Sequence, residues 1–296
     1  AFGIPWRGAL VYVNDLEGKI TKINLTNSSK NGARLFEQTT LFNLKANTNN
    51  ARYSYFAMDA GIGVDKGQLM LFGSTGNFTD LGGREPGLDN IMYGVIDKDY
   101  PYFNHLNGTT IPLGTEDKFL SKAHKSANDA LNVDEAGDCE DVTGKIDMST
   151  CIGTKQAWVI KLGQDASGNF YNPKTFRKAS ASPTLFKGQV YFPIYQPPPG
   201  NQRCSQGSAF ICVSDDECGY NNSAKLKLTT PDDVNNPGAN ACAFVRKGVL
   251  SELVIFADKL FANVAGPTGD EDTLFSILSV PGEIMQNKGG WRDSSY

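Results

Sequence analysis

The chain has 296 residues, 28 Lys plus Arg against 32 Asp plus Glu, a formal charge of -4 and 40% hydrophobic residues. That composition supports a large folded core and excludes disorder and collagen, and without a positive excess it argues against a nucleic-acid partner. No stretch approaches the roughly 18 uncharged apolar residues of a membrane-spanning helix, so no membrane span is expected.

The chain opens on Ala1 rather than Met, and Phe2-Gly3-Ile4-Pro5-Trp6 has neither a charged nor a long apolar segment. This reads as a start set by processing or excision. From there, short runs of Val, Ile, Phe, Tyr and Leu alternate with Gly, Asp and Asn clusters, the pattern of strands separated by turns. Expected strands are Leu10 to Val13, Lys19 to Asn24, Leu69 to Phe72, Ile91 to Ile96, Ala157 to Leu162, Val190 to Phe192, Ala209 to Val213, Leu253 to Phe256, Leu260 to Val264 and Leu274 to Leu278. Asp15-Leu16-Glu17-Gly18 supplies a polar turn that joins the first two as a hairpin. One helix is predicted: Thr115 serves as N-cap, Glu116 and Asp117 lie in the first turn, and Phe119, Leu120, Ala123, Ala127, Ala130 and Leu131 trace an apolar face.

A Gly followed by a strand recurs at Gly8, Gly67, Gly188 and Gly248, three of them preceded by Lys. The doubled middle interval contains the predicted helix and an Asp/Cys-rich loop, so one repeat is expected to be masked there by an insertion. Flat units of several strands cannot bury both faces alone and must stack on neighbours, as in a β-propeller. A sandwich pair or an irregular barrel is the alternative.

Six cysteines, Cys139, Cys151, Cys204, Cys212, Cys218 and Cys242, lie in the second half. They show no CxxC spacing and no nearby His, which argues against zinc and for disulfides in an oxidising compartment. Cys139 with Cys151 is the expected pair, because it closes a polar loop; the pairing of the other four stays open. Calcium is the one cofactor with candidate ligands: Asp134, Asp138 and Asp141 offer carboxylates within one short loop, but their spacing departs from an EF-hand, and a solvated, disulfide-tied loop is the better account of them. The two histidines, His105 and His124, stand in no nucleophile motif, and the G-x-S-x-G, H-E-x-x-H and P-loop patterns are absent. A non-enzymatic role is expected. Gln196-Pro197-Pro198-Pro199-Gly200 reads as a rigid exposed extension.

Several phrases in order resemble one family. They are Ala9-Leu-Val-Tyr-Val-Asn-Asp-Leu-Glu-Gly-Lys-Ile-Thr-Lys-Ile-Asn-Leu25, Gly67-Gln-Leu-Met-Leu-Phe-Gly-Ser-Thr-Gly-Asn77, Asn90-Ile-Met-Tyr-Gly-Val-Ile-Asp97 and, near the end, Gly290-Trp291-Arg292. The chain is similar here to the C-terminal β-propeller domain of the PilY/PilC proteins, which are associated with the tips of bacterial type IV pili. The similarity is strongest from Ala9 to Asp97. Family members often carry a calcium loop before the first hairpin; Phe2 to Arg7 stand there in this chain, so that site is not placed, and Asn14 replaces the Gly that usually precedes Asp15.

The resemblance implies an all-β, quinoprotein-like propeller with irregular blades, an inserted helix and disulfide-tied loops, spanning 1–296 as the C-terminal part of a longer exported protein. It implies passage through the periplasm to an extracellular position at the pilus tip. The expected roles are pilus biogenesis, adhesion and surface sensing, and the expected partners are minor pilins and a host or surface receptor. The alternatives are a quinoprotein-like propeller dehydrogenase and an extracellular lectin or matrix-binding protein. The residues expected to matter structurally are Asp15, Gly18, Gly73, Gly76, Tyr93 and Asp97, with binding concentrated in the insertion at 115–151 and in the loop from Gln196 to Cys204.

Overall fold

The computed structural model describes residues 9–25, 36–63, 67–98, 100, 111–112, 125–126, 130–132, 157–162, 176–198, 205–219, 242–256, 259–266 and 274–277. Within them the chain is all-β, with strands numbered in chain order and grouped into four sheets.

Sheet I begins with the expected hairpin, β1 (Leu10–Asn14) against β2 (Lys19–Asn24), and continues to β3 (Glu37–Asn43). Sheet II runs β4 (Asp59–Ile62), β5 (Leu69–Ser74), β6 (Ile91–Asp97) and β10 (Ala157–Lys161). The segment between β6 and β10 returns three short strands to the edges of these sheets. Two of them, β7 (Ile111–Pro112) and β8 (Lys125–Ser126), pair with β3, and β9 (Leu131–Asn132) pairs in parallel with β10. Sheet III contains β11 (Lys178–Ala179), β12 (Thr184–Phe186), β13 (Gln189–Gln196), β14 (Ser208–Asp215) and β15 (Cys242–Lys247). Sheet IV contains β16 (Val249–Leu250), β17 (Val254–Phe256), β18 (Lys259–Ala265) and β19 (Leu274–Ile277).

The sheets stack face to face in chain order, and strand alternation explains how. On β5, Leu69 and Leu71 pack towards sheet I with Ile20, Phe42 and Leu44, whereas Met70 and Phe72 pack towards sheet III with Val190, Phe192 and Phe210. β6 and β10 divide in the same way: Ile91, Val95, Ala157 and Val159 face one side, and Met92, Ile96, Trp158 and Ile160 the other. Sheet III then turns Tyr191, Ala209, Ile211 and Val213 to sheet IV, where Leu250, Leu253, Leu260, Ala262 and Val264 receive them. A strand with two buried faces reads as a continuous apolar run, and β6 is buried at every residue. Trp158 centres the II–III layer, with its ring edge-on to Phe192 at 6.3 Å and tilted against Phe72 at the same distance.

Two sequence expectations need correction. Sheets II and III share one core directly, so among the described residues no further sheet stands between them, and the β6-to-β10 segment takes up part of the doubled glycine interval. The predicted helix does not run through its second half, because Lys125–Ser126 and Leu131–Asn132 are strands. There the unpaired backbone edges of β3 and β10 provide hydrogen-bond partners that outweigh a weak helical periodicity. Thr115 to His124 lie outside the described residues.

The repeated glycines also separate into two kinds. Gly67 (φ +62°) lies in the connection that leads into β5 and Gly188 (φ +73°) in the two-residue turn that leads from β12 into β13. A Cβ at either would meet open space, so backbone conformation alone selects glycine. Gly248 instead carries the chain from sheet III into sheet IV. Gly8 lies outside the described residues.

Candidate functional site

The seam between sheets I and II gathers most of the residues singled out by sequence. The first hairpin closes as its turn chemistry requires: the Asp15 carboxylate accepts from Lys19 N at 2.9 Å, and Gly18 N donates to Asp15 O at 3.0 Å. Gly18 has φ +76°, and a Cβ there would stand 2.9 Å from Ala46 Cβ, so the loop after β3 lies directly on this turn. At the other end of the seam, Asp97 accepts an ion pair from Lys22 Nζ at 2.6 Å and a hydrogen bond from the Tyr12 hydroxyl at 2.5 Å. Lys22 and Asp97 are both 1% exposed, so each charge depends on the other for compensation. Between these points Tyr93 is buried against Gly73, its opposite in the β5–β6 register; a Cβ on Gly73 would fall 2.1 Å from the phenol oxygen. Burial pushes the Tyr93 hydroxyl up to about 12, with Ser54 beside it only partly offsetting the cost.

A second construction locks the connection between β5 and β6 to sheet III. Lys178 extends its buried ammonium to three carbonyls, Asp80 O at 2.5 Å, Gly83 O at 2.8 Å and Leu81 O at 3.2 Å. Desolvation lowers its pKa, and the charges of Asp80 and Glu85 pull the other way. Gly76 fits where a Cβ would meet Lys178 and the Ala179 amide, and Asn90 donates to Arg177 O at 2.9 Å. Arg177 lies 4.3 Å over the Phe210 ring and its Nε donates to Gln196 Oε1 at 2.9 Å, which anchors the base of the proline extension. Pro199 to Cys204 lie outside the described residues.

The turn after β14 concentrates acid. Asp215 accepts from Glu217 N at 3.0 Å and Cys218 N at 3.1 Å, and Asp216 O accepts from Trp158 Nε1 at 3.2 Å. Burial first, then the neighbouring charges of Asp215 and Glu217, raise the Asp216 carboxyl to about 7. Cys212 and Cys242, directly opposite on β14 and β15, form a disulfide, which settles one pair that the sequence left open. Cys139, Cys151 and Cys204, like Asp134, Asp138 and Asp141, lie outside the described residues. Among the described residues no three acidic, His or Cys side chains converge to hold a metal.

One concavity opens to solvent here. It lies where the β1–β2 turn meets the loop after β3, has a volume of about 580 Å³, and is lined by Leu16, Glu17, Lys19, Asn43, Lys45 and Tyr53 among others. The sequence reading did not single it out. Its signal was the polar, Asn-rich run Asn43 to Asn50 beside a hairpin turn, the kind of loop that carries function on a rigid sheet.

No protein-family model matches the chain, and no curated protein matches it in sequence. Among solved structures it is similar to the crystal structure of the Pseudomonas aeruginosa PilY1 C-terminal domain, with a TM-score of 0.50 and 12% sequence identity. The match covers 95% of this chain and 62% of that one. The likeness therefore concerns the fold, and this chain spans somewhat under two thirds of its counterpart. The family resemblance carried by the phrases from Ala9 to Asp97 is matched at the level of backbone architecture.

Proposed function

We propose that this chain is a type IV pilus-associated module: a propeller-like scaffold without enzymatic activity that serves pilus biogenesis, adhesion and surface sensing at the tip outside the cell. The fold likeness to the PilY1 C-terminal domain across 95% of the chain carries this reading. The ordered phrases of the first two sheets support it independently. In this reading sheets I to IV are blades, their face-to-face stacking is the blade contact, and the edge strands returned by the β6-to-β10 segment hold the insertion against the rim. Minor pilins are the docking partners, and the loops present a surface to a receptor. An exported position is supported by the Cys212–Cys242 bond, since such bonds persist where the environment is oxidising.

The test is immunogold labelling of sheared pili from the host bacterium carrying an epitope-tagged copy, together with pilus counts after deletion of the coding segment. Label at pilus ends with reduced piliation is the expected result. Unlabelled pili and unchanged piliation would overturn the proposal.

A further inference from the structure

The loop after β3 is held in one shape before anything binds. Lys45 (φ +58°) and Ala51 (φ +52°) occupy left-handed backbone that side-chain-bearing residues adopt only when their surroundings enforce it. The enforcement is visible on both sides. Leu44 N donates to Gly18 O at 2.6 Å, and Arg52 bonds to Leu44 O at 3.3 Å and Asp89 O at 2.7 Å, with its guanidinium also on the Asp89 carboxylate.

The same bonds fix what the loop offers to the hollow. Lys45 N donates to Asn43 Oδ1 at 2.7 Å, and Asn49 N and Asn50 N both donate to Asn47 Oδ1 at 2.9 Å. Each bond fixes which end of the amide is the oxygen, and the Nδ2 groups of Asn43 and Asn47 are donors with no acceptor among the described residues. The exposed Lys45 ammonium likewise has no ion-pair partner among the described residues. Glu17, the only carboxylate in the lining, is already paired with Lys19 at 2.9 Å. The lining thus combines donors and one positive charge without an ion-pair partner among the described residues with two apolar surfaces, the Tyr53 ring and Leu16.

A ligand for this surface must carry a flat apolar face, several acceptor oxygens and a negative charge. We propose that the hollow binds an acidic sugar residue, its ring stacked on Tyr53, its hydroxyls on the Asn43 and Asn47 amides, and its carboxylate on Lys45. An acidic peptide has the charge but lacks the ring of aliphatic C–H groups that matches an aromatic surface. The volume suits one or two sugar rings. The site stands whether or not the chain resides on a pilus, so its failure and that of the pilus assignment are separable.

The test is saturation-transfer NMR and titration of the purified 296-residue chain with glucuronic acid, galacturonic acid and N-acetylneuraminic acid, with glucose and galactose as neutral controls and a Glu-Asp tetrapeptide as the peptide control. The expected result is a Kd on the order of 1 mM for at least one acidic sugar, weakened about tenfold by Lys45→Gln and lost in Tyr53→Ala. Unchanged circular dichroism and melting of both variants separate lost binding from lost folding. Equal binding of neutral sugars, binding indifferent to Lys45→Gln, or binding of the tetrapeptide alone would overturn the proposal.

Discussion

Asp216 stands between two other carboxylates at the end of β14, enclosed by the turn that bonds to Trp158. Its folded pKa near 7 lies above its unfolded value of 3.8, so the folded state binds this proton more tightly. The contribution is fully present below about pH 4 and is lost as the pH rises through 7, amounting to a few kcal/mol. Asp216→Asn is therefore expected to raise the urea midpoint at pH 8 and to leave it nearly unchanged at pH 4. Nothing in Asp215-Asp216-Glu217 reveals this from sequence, because three adjacent acids ordinarily read as solvated and only the tertiary fold encloses the middle one. Lys22 was closer to legible. Ile20, Lys22 and Asn24 share the inward face of β2, so period-two alternation from Ile20 places a lysine in the core and calls for an acid opposite, which Asp97 supplies. Asp15, Gly18, Tyr93 and Asp97 could be named in advance because turn chemistry and ordered phrases marked them.

At the scale of the element, β13 shows one residue shaping its neighbours. Pro193 sits in the middle of this eight-residue strand and has no N–H to donate. On the β14 side the register continues unbroken past Pro193 opposite Ile211. On the other side the partner strand is interrupted there, divided into β11 and β12. Proline inside a strand is confined to positions where its nitrogen is not called upon, and the division meets that condition. The longest missed strand, β3, reads Glu-Gln-Thr-Thr-Leu-Phe-Asn, too polar to stand out, yet it is held as the third strand against β2. The helix expectation erred in the opposite direction, where edge pairing outweighed local pattern. The β14–β15 pair is closed covalently by Cys212 and Cys242 across a sequence separation of 30. Replacing both by Ala is expected to cost roughly 3–4 kcal/mol, read as a lower melting temperature that reducing agent no longer alters.

For the molecule as a whole, burial on both faces makes the inner sheets interdependent. Trp158 is fully buried and joins sheets II and III through Phe72, Phe192 and the Asp216 carbonyl. Trp158→Ala is expected to cost about 3–5 kcal/mol, a large fraction of a typical domain's stability. Hydrogen exchange should then show β6 and β13 losing protection together; loss confined to β10 would mean that the layers open separately. The two ends of the stack differ from its middle. Val11 and Val13 on β1, and Val254, Ile255 and Phe256 on β17, are exposed, whereas the equivalent positions of sheets II and III are covered. The all-β class and the stacking logic could be read from apolar runs and recurring glycines, but the number of sheets between Gly67 and Gly188 could not, because an insertion and a hidden repeat give the same spacing.

That insertion leaves from β6 and returns on β10, and these two strands pair directly, with Val95 opposite Ala157. Its entry and exit are therefore neighbours, and the chain between them spans no distance that the stack must preserve. Closing a longer loop over such a gap adds only about 0.6 kcal/mol per doubling of length. The junction works as a socket: a foreign domain grafted between the short edge strands of this segment, with β7, β8 and β9 kept in place, would leave the β6–β10 pair and the layers behind it intact.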